Sequence, residues 1–175
     1  MWDQYWAEPV KECEFYNKCG NYGSCTDENT PVCACLQGFV PKSNDEWNSR
    51  NWTSGCVRRT PLQCQRNASN GGQGEADGFL KLEGVKLPDL SDWDQGVESI
   101  NACEQTCLAN CSCKAYSYAT GIRCLKWSVD LKDIYMFSIG GDDLFLRLAG
   151  SELGKLFLSF FLPHLVFLLL GLNTA

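Results

Sequence analysis

Histidine is almost missing from this chain: His164 is the single one in 175 residues, and it sits in an apolar stretch near the C-terminus. Nucleophilic catalysis of the Ser-His-Asp or Cys-His kind needs a base beside the nucleophile, so no such set can be assembled in the globular part. The same scarcity removes a Cys2His2 zinc site, and no C-x2-C knuckle pair is present to replace it. Glycine-rich phosphate, dinucleotide and kinase motifs are absent, the glycines lying in turns without a following helix signature. There is no basic stripe either. The formal net charge is −6, with acids and bases interspersed, which argues against a nucleic-acid partner because phosphate binding needs clustered Lys and Arg. An EF-hand loop is lacking, and no Asp-x-Asp/Asn-Glu pattern precedes Cys13, so Asp133, Asp142 and Asp143 read as solvated acids rather than calcium ligands. Asp92 with Asp94, or Asp142 with Asp143, could serve as a general acid and base only in a cleft, and they sit beside turn residues. No charged segment followed by an apolar run precedes the first cysteines, so the expectation is a chain without its signal peptide.

What the chain does have is cysteine. Twelve of them, an even number at short recurring spacings, imply an oxidising compartment and a framework of structural disulfides in small domains that lack enough core to hold themselves together. No cofactor is expected. Three glycosylation sequons, at Asn51, Asn67 and Asn110, agree with a secretory route. The one catalytic alternative is a thiol oxidoreductase using a close pair, Cys33 with Cys35 or Cys111 with Cys113, which would require an accessible thiol of low pKa.

From Cys13 to Cys56 the spacing C-x5-C-x5-C-x7-C-x-C-x20-C, broken by Gly20, Gly23, Pro31 and Gly38, reads as loops and hairpins. Cys33 and Cys35 would point to the same side of a strand and bridge different partners. The Gly-rich segment 65–78 reads as a linker or long surface loop. Beyond it, 79–83 reads as a strand. Val97, Ile100, Glu104, Cys107 and Leu108 recur at near-helical spacing, predicting a helix over 97–108; if it persists to Cys111, then Cys103, Cys107 and Cys111 share a stripe. Alternation predicts strands at 114–119, 123–129 and 142–149, the last with Leu144, Leu146 and Leu148 on one face. Trp47, Trp52 and Trp93 fall in polar stretches, where they either anchor interfaces or pack small cores. From Leu156 to Leu172 the chain is nearly all apolar. At the lower limit of length for a spanning helix, with Pro163 inside it, this segment is expected to be a tail anchor or single span, a lipid-anchor signal, or an unstructured end.

Certain motifs are familiar. Trp6-Ala7-Glu8-Pro9, then Tyr16-Asn17-Lys18-Cys19-Gly20-Asn21-Tyr22-Gly23-Ser24-Cys25 and Cys33-Ala34-Cys35-Leu36-Gln37-Gly38-Phe39, resemble the end of an S-locus glycoprotein domain and its EGF-like module. Cys103-Glu104-Gln105-Thr106-Cys107-Leu108-Ala109-Asn110-Cys111-Ser112-Cys113, Cys124-Leu125-Lys126-Trp127 and Asp142-Asp143-Leu144-Phe145-Leu146-Arg147-Leu148 resemble the PAN/apple module of plant G-type lectin S-receptor-like kinases. The resemblance covers roughly 3–153. It implies a small disulfide-rich fold: the end of an S-locus glycoprotein domain at 1–12, an EGF-like β-hairpin module at 13–62, an α+β PAN/apple module at 63–150 with one helix on a small antiparallel sheet, and an apolar tail at 154–173 as a possible membrane segment.

The resemblance also implies the pairs Cys13 with Cys25, Cys19 with Cys33, Cys35 with Cys56, Cys103 with Cys124 and Cys107 with Cys113, leaving Cys64 with Cys111. Members of that family carry lectin-like domains, a membrane span and a cytoplasmic Ser/Thr kinase, and act in pollen self-recognition or defence signalling. The function expected for this chain is therefore a non-enzymatic extracellular recognition fragment, anchored at the outer face of the plasma membrane or secreted. Its partner would be a protein ligand or another receptor ectodomain, with dimerisation through the PAN module and membrane contact through the tail. A truncated decoy or a receptor fragment without function is the alternative.

Overall fold

The computed structural model describes residues 11–66, 75–119 and 121–155. Asn67, His164 and the apolar run from Leu156 lie outside them, as does most of 1–12. Among the described residues no helix is long and apolar enough to cross a membrane.

The N-terminal part is built from very short elements, as a Gly- and Pro-punctuated, cysteine-dense segment requires. Strands β1 (Gly23–Cys25) and β2 (Cys33–Cys35) form an antiparallel hairpin with Cys25 opposite Cys33. β3 (Phe39–Pro41) pairs antiparallel with β4 (Cys56–Arg58). Between them lies a single turn of helix, α1 (Asn44–Asn48), whose first amides are capped when Ser43 Oγ accepts from the Glu46 N–H. This helix had no signal strong enough to be predicted.

The C-terminal part has β5 (Gly78–Lys86), β6 (Asp92–Asp94), α2 (Ile100–Ala109), β7 (Ala115–Ala119), β8 (Arg123–Trp127), β9 (Ile134–Met136) and β10 (Asp142–Leu148). The strands form where the sequence placed them, and β6 and β9 are additions. The predicted helix over 97–108 starts later and ends sooner than the stripe of cysteines required. Ser99 caps it by accepting from the Ala102 N–H, so Val97 lies outside the helix although it is buried beneath it. Asn110 terminates α2 with an extended backbone, and its Oδ1 accepts from the Ser112 N–H. Cys111 therefore leaves the helical stripe. What α2 buries is Cys103 and Cys107, each fully inaccessible, while Ile100 stays 40% exposed. The helix is held by its bridges more than by an aliphatic face.

One eight-stranded sheet, in the order β2-β1-β9-β5-β10-β7-β8-β6, runs through both parts. The join is a parallel pairing of β1 with β9, Ser24 beside Ile134 and Cys25 beside Tyr135, the other strand pairs being antiparallel. Along β10 the period of two sorts side chains between faces. Leu144, Leu146 and Leu148 enter a core with Tyr22, Leu36 and Phe39 of the N-terminal part and with Trp127, Leu131 and Ile134. Phe145 turns the other way and packs with Tyr116 against the cluster under α2.

The six bridges, by contrast, fall in two sets that never cross. Cys13–Cys25, Cys19–Cys33 and Cys35–Cys56 close the first part, and Cys64–Cys111, Cys103–Cys124 and Cys107–Cys113 close the second. Covalently there are two units, while the sheet and the main core are shared. Gly20 and Gly55 show how tightly the first unit is wound. Both have positive φ, and a Cβ on Gly20 would lie 2.6 Å from the Gly55 backbone.

Candidate interaction surface

Side chains in this fold are committed mainly to holding it together, and the largest commitment is at Arg147. It faces away from the leucines of β10 and ends beneath the C-terminus of α2, with its side chain and that of Asp77 both buried. Its guanidinium donates to the carbonyls of Cys107, Leu108, Asn110 and Cys113 and reaches Asp77 at 3.1 Å. A helix C-terminus leaves its last carbonyls without intrahelical partners, and a cation there meets both their lone pairs and the dipole. Arg58 of β4 donates to the Arg147 carbonyl at 2.7 Å, tying the first unit to the same place.

The seam between the two units is polar at its rim. Tyr22 and Asn21 both donate to Asp130, which also receives Lys114 at 2.6 Å. Burial works against the charge on Asp130, but donors from Lys114, Tyr22 and Asn21 outweigh it and hold its pKa below the usual carboxylate range. The Asn17 amide donates to Asp133, and Lys86 pairs with the same carboxylate. Tyr135 donates to Asp27 at 2.5 Å, and this hydrogen bond, with burial and the Asp27 charge, pushes the phenol up to about 12. Further along the chain, Glu152 accepts from Thr60 and Arg59, which hold it ionised.

Of the acids singled out in the sequence, Asp92, Asp94, Asp133 and Asp143 are spent on structure, and Asp142 is exposed. Asp94 pairs with Lys126 at 2.8 Å, a bond that lowers its pKa, and Asp92 accepts from Ser128. Asp143 pairs with Lys81, and Asp133 closes the seam just described. The sulfurs of Cys19, Cys25 and Cys33 lie within 4.8 Å of one another, a spacing that would suit a metal, yet each is already bonded to another sulfur and offers no thiolate. Cys33 and Cys35 belong to different bridges, and so do Cys111 and Cys113. Among the described residues there is no free cysteine to act as a redox nucleophile. Asn51 and Asn110 are both exposed. Asn51 Oδ1 accepts from the Thr53 hydroxyl at 2.7 Å.

The three tryptophans part company. Trp52 is buried among the bridges of the first unit with the Lys18 ammonium over its ring, and Trp47 packs beneath it. Trp93 alone is outward, 58% exposed on β6. Its indole N–H donates to the Ile122 carbonyl at 2.5 Å, which ties the ring to the start of β8. Leu90, just before β6, and Ile122, just before β8, are also 69% and 50% exposed. β6 is the last strand of the sheet, so Trp93 lies at an edge. Sequence reasoning grouped Trp93 with the others because the strand that separates it is three residues long and has no alternation to read. It also missed Arg147 and Tyr22, whose partners lie 70 and 108 residues away.

A cross-linked helix on a β-sheet, with every described cysteine bridged, defines a small disulfide-stapled module of the PAN type. The family model for the PAN-like domain matches 56–134, and that for the S-locus glycoprotein domain matches 1–43. The chain is 51% identical over 148 residues to the Arabidopsis thaliana G-type lectin S-receptor-like serine/threonine-protein kinase At1g11330, covering 83% of this chain and 17% of that protein. It is 48% identical to At1g61390 and to SD1-29, similarly described and from the same plant, each over 87% of this chain and 18% and 19% of theirs. This chain belongs to the S-locus and G-type lectin S-receptor-like kinase family. It spans less than a fifth of the length of these curated relatives.

Proposed function

We propose that this chain is a non-catalytic extracellular recognition segment of an S-locus-type receptor, in which the EGF-like unit (13–62) and the PAN/apple unit (63–150) act as one packed body. The observation that carries this reading is Trp93: a large aromatic, exposed at a sheet edge and immobilised by its own hydrogen bond, is the type of side chain that anchors protein interfaces at low entropic cost. Ser43 is engaged in a helix cap, Asp94 in an ion pair, and the described cysteines in bridges. The partner is a protein, and the strand edge at β6 suits another receptor ectodomain adding to the sheet. The setting is the outer face of the plasma membrane or the extracellular space, in pollen-type or defence-type recognition. The test is a pull-down of the oxidised chain against ectodomains of its relatives, with sedimentation to measure self-association. Trp93→Ala, with its six bridges mapped as in the parent, is expected to lower binding at least tenfold. Unchanged binding by that variant would remove Trp93 from the interface, and no binding by the parent would remove the reading.

A further inference from the structure

One disulfide differs from the other five in its surroundings. Cys64–Cys111 joins an exposed cysteine to a half-buried one, whereas each other bridge has at least one cysteine that is buried. It closes the longest interval of the six, a sequence separation of 47. Arg147 Nη2, the atom that reaches Asp77, also lies 3.8 Å from Cys64 Sγ. Beside it opens a cleft of 470 Å³ lined by Gln63, Cys64, Ala76, Asp77, Leu108 and Arg147. A guanidinium N–H facing one sulfur of a bridge favours that sulfur as the leaving thiolate, and a leaving thiol of lower pKa departs faster.

We propose that Cys64–Cys111 is a thiol-exchange site, reduced by a dithiol while the other five bridges remain. A thiolate of the dithiol attacks Cys111 Sγ, and a new S–S bond forms as the Cys64–Cys111 bond breaks. Cys64 departs as a thiolate opposite Arg147 and takes a proton from solvent, replacing the one the donor thiol released. The second thiol of the donor, deprotonated in turn, attacks the donor sulfur of the mixed disulfide and expels Cys111 as a thiolate, which is protonated. The bridge has gained two electrons and two protons, and the donor leaves as its disulfide. Opening frees the short 3-10 turn Gln63–Gln65 from the end of α2, while Cys103–Cys124 and Cys107–Cys113 keep that helix on the sheet. This site is independent of any recognition surface and stands without a partner.

The experiment uses the full oxidised chain with graded dithiothreitol, rapid alkylation and peptide mapping. Cys64 and Cys111 are expected to be alkylated first, at a dithiothreitol concentration about tenfold below that opening any other pair. First opening at another bridge, or all six in one step, would overturn the proposal. With glutathione in place of the dithiol, the trapped adduct is expected on Cys111 with Cys64 alkylated, and the reverse placement would overturn the role of Arg147. A Cys64→Ser, Cys111→Ser double variant is expected to fold with the remaining five pairs as in the parent, and failure to do so would overturn local opening.

Discussion

Tyr22 and Asp130, 108 residues apart, meet across the seam between the two units in a 2.8 Å hydrogen bond donated by the phenol. The Tyr22 ring at the same time stacks on Phe39 with centroids 4.5 Å apart. Burial and the bond to Asp130 raise the phenol far above its ordinary pKa, so it remains a donor at any physiological pH. Tyr22→Phe keeps the stack and removes the donor, and is expected to cost about 1 kcal/mol because Asp130 retains Lys114 and Asn21. Tyr22→Ala also empties the core position and should cost about 3 to 5 kcal/mol. Urea unfolding of both variants checks this. Equal losses would mean that the aromatic contact contributes little.

Arg147→Met should be far more damaging than a surface charge deletion. It leaves the Asp77 carboxylate buried without its partner and the end of α2 without its donor, a class of change that costs about 3 to 5 kcal/mol. Adding Asp77→Leu to Arg147→Met should recover part of that loss by removing the stranded charge. Denaturation midpoints of the single and double variants form the test, and a double variant no better than the single would show the carbonyl contacts to be the main contribution.

Acid is expected to loosen the seam and the β6–β8 ion pair only at low pH. Asp130, Asp94 and Glu152 are all held below their ordinary values, so each binds its proton more weakly folded than unfolded. Their contribution is fully present above the unfolded carboxylate pKa of about 4 and disappears as pH falls through the depressed folded values. The melting temperature should be flat between about pH 7 and 5 and drop below about pH 4. Asp130→Asn should reduce that drop, and an unchanged acid limb in this variant would assign it to other groups.

Gly20→Ala tests the winding of the first unit. The new Cβ would sit 2.6 Å from the backbone of Gly55 at a φ of +68°, where an L side chain is already strained. Secreted yield should collapse, with Cys13, Cys19, Cys25 and Cys33 mispaired on peptide mapping. A correctly bridged variant at parental yield would show that the loop can yield.

Asn51 and Asn110 present exposed side chains within their sequons. Secreted from a plant or insect host, Asn51→Gln and Asn110→Gln are each expected to lose the mass of one N-linked glycan relative to the parent. A variant with unchanged mass would show that its site is not used.

Much of the second unit was legible beforehand because its strands alternate with period two, and Leu144, Leu146 and Leu148 name the core face of β10 without a structure. The helix was legible as an element but not in its limits, since Ser99 and Asn110 compete for backbone groups that periodicity alone assigns to the helix. α1, β6 and β9 were missed because three to five residues carry too little pattern. The candidate surface was half legible: Trp93 was named, but nothing local distinguished it from the buried Trp52.

The sequence by itself determined the class of this protein. Twelve cysteines, in ordered motifs, specify a disulfide-stapled framework of small units, because bridge chemistry and local spacing are properties of the chain. Only the tertiary structure decided that the two stapled units share one sheet and one core, that Arg147 caps α2, and that Tyr22 closes on Asp130. Those contacts join residues about 40 to 110 positions apart, and their strength comes from burial and neighbouring donors that no stretch of sequence contains.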